Sequence, residues 1–544
     1  MSQVINIAAA RGADRGLLGN KGAGLVRMLS SGLRVPPAFV ITTDVCRAYL
    51  GTGSTPAGFA AAVEAELAEL ERRRGRRLSD LDAPLLVSVR SGASVSMPGM
   101  MDTVLNLGVT PATRAGLARQ GGERFAFDAH RRFLESFGTV VLDIPQADFD
   151  GAAARAAELA ATVEAFTALV AARAGSTVVD DPHAQLQLAI EAVFRSWNSA
   201  RARTYRALKA IPDDLGTAVV VQSMVFGNLN EHSGSGVVFT RDPNTGSATP
   251  YGDFLFLSQG EDVVDGRHRT LPVAALAERL PEVWAELRTV LPALERQVGE
   301  MLDVEFTVED GTLYVLQMRS GKRAAGAAVR IAVDMAGEGL ISRADAVHRI
   351  STAQLERLGQ PHLDPAGGHR VAAVGLGASP GVATGVVCVS ADRVAELADG
   401  TEGVILTRSD TSPADVHGMA VADGVLTSRG GLVSHAAVVA RDLGVPAVVG
   451  VESLVVDETA RCARIGGLIL REGELVTIDG GSGEVVPGRA RTVPAAPCAA
   501  VDTLLEWADE LSGDRTPGRS PSQRLASALG ADVARVAGVA RVAG

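Results

Sequence analysis

The chain has 544 residues, which at roughly 100–200 residues per domain implies about three domains and ample length for buried cores. Hydrophobic residues at 47% and charged residues at 21% describe a globular chain rather than a disordered one. A net charge of −11 and aromatics at 4% argue against a nucleic-acid binder, which needs a basic excess and platforms for stacking bases.

The four cysteines, Cys46, Cys388, Cys462 and Cys498, are far apart and form no CxxC pair. That spacing speaks against a zinc ribbon or a disulfide framework and fits a reducing compartment, so a cytoplasmic location is expected. The N-terminus lacks a basic segment followed by an apolar one, and no signal peptide is expected. The uncharged run Val371–Ala391 is interrupted by Gly375, Gly377, Pro380, Gly381 and Gly385; it reads as strand, turn, strand, and no membrane partner is expected. Among 52 basic side chains only Lys21, Lys209 and Lys322 are lysine. A lysine retained against such an arginine bias marks a place where a compact ammonium is needed.

In chain order, residues 1–340 mix helical runs with short strands. LLGNKGAGL (17–25) sets Lys21 in a glycine-rich turn before a helix, where backbone N–H groups and an ammonium can meet phosphate; an ordinary loop is the alternative. SVRSGASVSMPGMMDTVLNLG (88–108) puts Arg90 at a strand end, followed by a loop with Gly92, Pro98 and Gly99. A guanidinium there suits an anion, or is simply a surface arginine. GTAVVVQSMVFGN (216–228) holds a strand leading to an apolar hinge at Gln222–Val225. The backbone of such a hinge can read an adenine edge while Met224 and Val225 sandwich the ring; a core strand is the alternative.

LDVEFTVEDGTLYVLQMR (302–319) reads as a β-hairpin. Strand period puts Asp303 and Glu305 on one face, and Gln317 and Arg319 on one face of the partner. A two-residue turn, Asp310–Gly311, sends the two pairs to opposite faces. A three-residue loop, Asp310–Thr312, pairs Glu305 with Gln317 and Asp303 with Arg319, and a bulge has the same effect. The three-residue loop is expected. Carboxylates for Mg²⁺, an amide and a guanidinium would then converge on a triphosphate, the alternative being a solvated face of cross-strand ion pairs.

The polar stretch 341–372 reads as a helical linker, and 373–487 as a compact domain of short Val/Ile strands and glycine turns. Residues 488–544 read as a helix, VDTLLEWADEL, and a flexible tail. Within the compact domain, SRGGLVSHAAVVARDLG (428–444) offers a Gly430–Gly431 turn, Ser434 as N-cap and His435 in the first helical turn. An imidazole there is a nucleophile in its neutral form, which the helix start favours, and a phosphoryl group on it would lie in the positive field of the helix N-terminus. A satisfied core histidine is the alternative. His417, close by in SPADVHGMA, reads as structural or as a support to the residues that do the chemistry.

These segments together resemble the pyruvate, phosphate dikinase family over roughly residues 10–512. The strings that carry the likeness include LLGNKGAGL, SVRSGASVSMPGMMDTVLNLG, SGSGVVFTRDP, QGEDVV, EFTVEDGTLYVLQMRSGKR, TSPADVHGM and SRGGLVSHAAVVAR. The resemblance implies an α/β and α+β multidomain chain: an ATP-grasp nucleotide-binding domain (1–340), the linker, and a swivelling β/α phosphohistidine domain (373–487). It implies transfer of the β,γ-pyrophosphoryl group of ATP to His435 with release of AMP, then of the γ-phosphoryl to inorganic phosphate. It further implies Lys21, Arg90 and Arg319 as triphosphate contacts, Asp303, Glu305 and Gln317 around Mg-ATP, and Gln222–Val225 as the adenine hinge.

Three departures accompany the likeness. Only about 30 residues follow LLEWADEL, whereas the family's pyruvate-binding barrel needs about 250. The chain is therefore expected to carry the ATP half-reactions and to pass its phosphoryl group to a separate acceptor protein or pyruvate/phosphoenolpyruvate-binding subunit. Val433 stands where the family has a regulatory threonine. Ser94 replaces a usual arginine, and RHRTLP (267–272) departs from the pattern after QGEDVV. The other readings are an acceptor such as water or a small hydroxyl compound, and a non-catalytic nucleotide-binding remnant.

Overall fold

The computed structural model describes residues 3–10, 12, 14–95, 97, 101–174, 180–208, 211–264, 268–356, 358, 361–400, 402–494 and 498–530. The architecture is α/β and α+β multidomain, as expected. The chain divides into two compact units, residues 1–234 with 306–318 and residues 235–305 with 319–544. Among the described residues no helix is long and apolar enough to cross a membrane.

The first unit is built on strands β1 (Val4–Asn6), β2 (Ala38–Ile41), β3 (Val87–Gly92), β4 (Thr103–Leu107) and β5 (Ala218–Ser223). They form an antiparallel sheet in the order β1-β2-β5-β3-β4. The apolar runs AFVI and AVVVQS are buried along their whole length, as short unbroken apolar strands covered on both faces require. The helix Phe59–Arg74 buries Val63, Leu67 and Leu70 at helical spacing, and Arg114–Val141 buries Phe125, Ala129, Phe133 and Phe137 in the same core.

The helix Arg15–Ser30 is broken at Gly19, whose φ of 66° is open to glycine and strained for other residues. A Cβ at Gly19 would lie 1.4 Å from the Gly92 carbonyl oxygen, and the Asn20 N–H donates to the Ala93 carbonyl at 2.9 Å. This close approach sets where Lys21 emerges relative to the β3 strand.

The second unit contains β6 (Gly234–Phe239), β7 (Tyr251–Phe256), β8 (Leu271–Pro272) and the hairpin of β9 (Leu302–Glu309) and β10 (Thr312–Ser320), ordered β10-β9-β6-β7-β8. The tip of that hairpin, residues 306–318, counts with the first unit. Further along come β11 (His362–Leu363), β12 (Ala373–Val374), β13 (Leu376–Ser379), β14 (Val382–Cys388), β15 (Gly403–Arg408), β16 (Gly424–Thr427), β17 (Ala447–Val449), β18 (Leu454–Asp457), β19 (Cys462–Ile465), β20 (Leu468–Arg471), β21 (Leu475–Asp479) and β22 (Glu484–Pro487). An eight-stranded sheet runs β12-β22-β21-β14-β15-β16-β17-β13. Its middle strands β14, β15, β16 and β17 are parallel, joined by the helices Val394–Ala398, Val416–Val421 and His435–Leu443. Loops that leave the carboxyl ends of neighbouring parallel strands meet at one edge.

The stretch 341–372 carries two short helices, Arg343–His348 and Thr352–Glu356. Val347, Ile350 and Leu355 from it enter a buried cluster with Val329 of the helix Ala325–Gly337 and Leu504 and Leu505 of the helix Ala499–Ser512. Residues 521–530 are also helical and add Leu525 and Ala528 to that cluster. The sequence pattern reads the segment as a tail because its breakers, Pro517 and Gly518, precede the helix.

Gly19→Ala is expected to destabilise the chain by about 2–4 kcal/mol, the sum of left-handed strain and overpacking. Gly51→Ala, on an exposed helix with nothing within 4 Å of the new Cβ, should be neutral or slightly stabilising. Thermal unfolding of the two variants checks the contrast.

Candidate functional site

In the first unit, Lys21 follows the Gly19 break and shares a small recess of about 10 Å³ with Asn20, Gly24, Met28, Gln317 and Met318. The structure thus brings Lys21 and Gln317 together from segments almost 300 residues apart. A Cβ placed on Gly92 would lie 3.5 Å from the Lys21 Cβ, so the lysine stem runs beside the end of β3, which carries half-buried Arg90. Pro98 and Gly99, read from sequence as part of the adjoining loop, lie outside the described residues, as does Lys209.

The hinge segment is tightly held. Gln222 is 3% exposed and its side-chain amide donates to the Pro36 carbonyl at 3.1 Å. The Met224 N–H donates to the Leu86 carbonyl at 2.8 Å, and the Phe226 N–H to the Glu309 carboxylate at 2.8 Å. Val225 is buried, and Met224 packs against the core. The side chain of Gln222 and the N–H of Met224 therefore already have structural partners.

The hairpin of β9 and β10 departs from expectation. Its loop is the two-residue turn Asp310–Gly311, with φ of 47° and 73°, not the three-residue loop. An Asp-Gly pair in which both residues are left-handed gives the primed turn that matches strand twist. Arg319 nevertheless donates to the Asp303 carboxylate at 2.8 Å and lies 3.3 Å from Glu305. The alternation of burial along β10 slips by one residue: Leu313 and Val315 are buried, Leu316 and Gln317 half-buried, and Met318 buried again. One extra residue within the strand, as in a bulge, returns Arg319 to the face of the carboxylates.

Burial is the main influence on the Asp303 carboxyl and holds its pKa above the ordinary carboxylate value, although the Arg319 guanidinium pulls the other way. Its Oδ2 is taken by Arg319, while its Oδ1 is buried with no hydrogen-bond partner. The Gln317 Oε1 is likewise buried without a partner. An orphaned carboxylate oxygen costs free energy unless a cation or donor meets it. Among the described residues no cluster of three or more ligating side chains could hold a metal by itself. The pair Asp303 and Glu305 fits a hard cation that takes one or two carboxylates and completes its shell with phosphate and water, as Mg²⁺ does.

His435 opens the nine-residue helix His435–Leu443, capped by Ser434 at one end and by left-handed Gly444 at the other. Its Nδ1 is 3.1 Å from the Thr411 hydroxyl. Thr411 leaves the end of β15 and His435 follows the loop after β16, so adjacent parallel strands deliver the pair to one edge. Burial lowers the His435 pKa, with the Asp415 carboxylate opposing, which keeps the ring neutral near pH 7. The residue is half-buried and its Nδ1 is occupied by Thr411, leaving Nε2 as the atom to attack when Nδ1 carries the proton.

The loop before His435 is clamped by Asp253 of β7. That carboxylate accepts from the backbone N–H groups of Val433 and Leu432 and from Thr270, and burial pushes its pKa up to about 6. A Cβ on Gly431 would come within 2.3 Å of the Asp253 carboxylate, so only glycine fits. Arg441, 2% exposed, donates to the Ala378 and Leu432 carbonyls at 2.9 Å. His417 instead pairs with Asp392 at the surface, in keeping with a structural role. Thr411, Asp253 and Arg441 are residues that sequence reasoning missed. Thr411 and Arg441 lie inside recognised strings, but Thr411 meets His435 of a different string and Arg441 meets Ala378 of β13 as well as Leu432 of its own.

Two family models match the chain: the pyruvate phosphate dikinase AMP/ATP-binding domain over residues 54–271, and the mobile domain of PEP-utilising enzymes over residues 400–483. The first accords with an ATP-grasp class for the nucleotide-binding part. The chain is 44% identical over 514 residues to pyruvate, phosphate dikinase 1, chloroplastic, of Arabidopsis thaliana, covering 91% of this chain and 53% of that protein. It is 43% identical to pyruvate, phosphate dikinase 2 of Zea mays, covering 91% and 58%. It is 42% identical over 550 residues to pyruvate, phosphate dikinase of Rhizobium meliloti (strain 1021), covering 95% and 61%. The chain thus spans little more than half the length of these relatives.

His435 is expected to titrate below 6.5 in an NMR titration of labelled histidine with His435→Ala as reference. Its contribution to stability is then complete above pH 6.5 and is lost as pH falls toward the folded midpoint. Asp253 has the opposite sign. Its raised folded pKa makes stability decline as pH rises from about 4 to about 6, and Asp253→Asn should remove that decline from a pH series of melting curves.

Proposed function

We propose that this pyruvate, phosphate dikinase-like chain carries a phosphoryl relay in which His435 is the covalent carrier. The observation that carries the reading is the half-buried, neutral imidazole at a helix start, its Nδ1 held by Thr411 and its loop held by Asp253. In this reading residues 1–340 are an ATP-grasp nucleotide-binding domain, 341–372 a linker, 373–487 the phosphohistidine domain, and 488–544 a C-terminal helical segment.

The Nε2 lone pair of His435 attacks the β-phosphorus of ATP. A bond forms between Nε2 and the β-phosphorus, the bond from that phosphorus to the α,β-bridging oxygen breaks, and AMP leaves with the electron pair. The Nδ1–H stays on the ring, donated to Thr411, whose oxygen offsets the positive charge that grows there. Inorganic phosphate then takes the γ-phosphoryl group, giving pyrophosphate and leaving a phosphohistidine. Lys21, Arg90 and Arg319 are proposed to neutralise the triphosphate, Gln317 to donate to it, and Gln222–Val225 to flank the adenine. Mg²⁺ on Asp303 and Glu305 would supply charge neutralisation of the phosphoryl oxygens when bound. Pyruvate, after which these relatives are named, is the final acceptor we propose.

Purified chain incubated with Mg²⁺ and ATP labelled at the β-phosphate tests the reading. Acid-labile, base-stable label is expected on the wild type and not on His435→Ala, with AMP formed and pyrophosphate appearing when phosphate is added. Thr411→Val should slow labelling by up to roughly 10²-fold, the scale of a misoriented reacting group, with little change in the ATP concentration needed. A wild-type chain that binds ATP but takes no label would overturn the relay.

A further inference from the structure

Thr411 can hold the His435 ring only if the loop that carries it is itself held. Its neighbours Ser412 and Ala414 are exposed, and a surface loop orients a side chain only where its backbone groups are tied down. Asp415 supplies the tie. Its Oδ2 accepts from the Ser412 backbone N–H at 2.8 Å and from the Ser412 hydroxyl at 2.9 Å, and its own N–H donates to the Ser412 carbonyl at 2.9 Å. The Ser412 N–H belongs to the planar peptide unit that starts at the Thr411 Cα, so fixing that plane also fixes the base of the Thr411 side chain.

Asp415 is anchored in turn. It is 8% exposed and stands at the start of the helix Val416–Val421. A Cβ at Gly418 of that helix would lie 2.6 Å from the Ala391 carbonyl oxygen, so the helix approaches its neighbour more closely than a larger residue allows. Met419 shares a buried cluster with Ala436, Ala437 and Ala440 of the His435 helix. Asp415 and His435 therefore open two helices that are packed into one core.

The charges around Asp415 leave it able to act on the ring. Arg408, the last residue of β15, lies 3.6 Å from its Oδ1 but also pairs with Glu458 at 2.6 Å. On the helix itself His417 is paired with Asp392. Arg408 thus divides its charge between two carboxylates, and the Asp415 charge reaches His435, whose protonated form it favours. During attack the imidazole gains positive charge as its lone pair moves to phosphorus, and a fixed carboxylate behind Thr411 stabilises that charge without having to reorganise.

We propose that Asp415 is a positioning residue of the relay: it orients the Thr411 hydroxyl toward Nδ1 of His435, and its charge supports the ring as it turns cationic. This role rests on the relay proposed above.

A double-mutant cycle in the full chain, read by transfer of β-phosphate label from ATP, tests it. Asp415→Ala should slow labelling by roughly 10²-fold, the scale of a misoriented reacting group, with the half-saturating ATP concentration unchanged. In a Thr411→Val background the same change should cost less than about threefold, because a residue that acts through Thr411 has nothing left to orient. Asp415→Asn keeps an oxygen for the Ser412 N–H and loses only the charge. It should restore labelling to within about tenfold of wild type and lower the His435 midpoint in an NMR titration, as removal of a nearby negative charge requires. That titration needs neither ATP nor the alanine variant. Equal slowing by Asp415→Ala with and without Thr411 overturns the role, as does a His435 midpoint unmoved in Asp415→Asn. Both are read beside a labelled wild type; a wild type that takes no label removes the relay itself, and this role with it.

Discussion

A guanidinium held between two carboxylates on one strand pair is the constraint around which this molecule is arranged. Arg319 can satisfy Asp303 and Glu305 only if it returns to their face of the hairpin, and the two-residue turn at Asp310–Gly311 by itself would send it away. The slip at Leu316–Gln317 reconciles the two demands. The turn keeps the geometry that an Asp-Gly pair favours, and the strand absorbs one residue so that a buried carboxylate does not stand alone. Removing Arg319 would leave the buried Asp303 carboxylate without its charged partner, which is destabilising. The same arrangement spends only one oxygen of Asp303, and the other remains as a preformed acceptor. Structural pairing and ligand capacity thus reside in one carboxylate.

The loop before His435 meets the burial problem by other means. Asp253 is surrounded by backbone N–H groups and a threonine, and Arg441 by backbone carbonyls. Neither makes a direct ion pair, although the two charges act on one another at longer range. Hydrogen bonds from neutral partners to a charged group are worth about 1.5–3 kcal/mol each, enough to fix the loop while leaving each charge only partly compensated. That residual imbalance shows in the Asp253 carboxyl, whose pKa burial raises to about 6.

What could be read from the sequence divides along a physical line. Lys21 and His435 were legible because local chemistry places them: a glycine break before one and a serine cap before the other act within a few residues. The α/β and α+β class was legible from strand and helix periods. The hairpin loop was misread because Asp-Gly is compatible with either length, and the choice rests on strand twist and on contacts from Ser233, Asn230 and His232 that fix the turn. Thr411 and Asp253 were invisible because their partners lie 24 and 180 residues away. Only the order of parallel strands and the close approach at Gly431 bring them in. Gln222 adds a contact that its position in the chain does not announce: its side-chain amide donates to the Pro36 carbonyl, which ties the hinge segment to the stretch just before β2.

The position of His435 resolves an apparent conflict in the proposed relay. An attacking imidazole must be neutral, whereas the product it carries is anionic, and a field that favours one charge usually opposes the other. A helix N-terminus disfavours an imidazolium and favours a phosphoryl anion, so both requirements have the same sign. Burial adds to the first by lowering the histidine pKa. Burial would hinder the second, since a phosphoryl dianion is costly to desolvate, and the half-buried ring, with Nδ1 on Thr411, strikes the balance. The helix carries no acidic residue in its first turn, where a carboxylate would be usual. Alanines at the next two positions leave the amide end unobstructed, and the one place on this helix where a negative charge is welcome is kept for the group that His435 would carry.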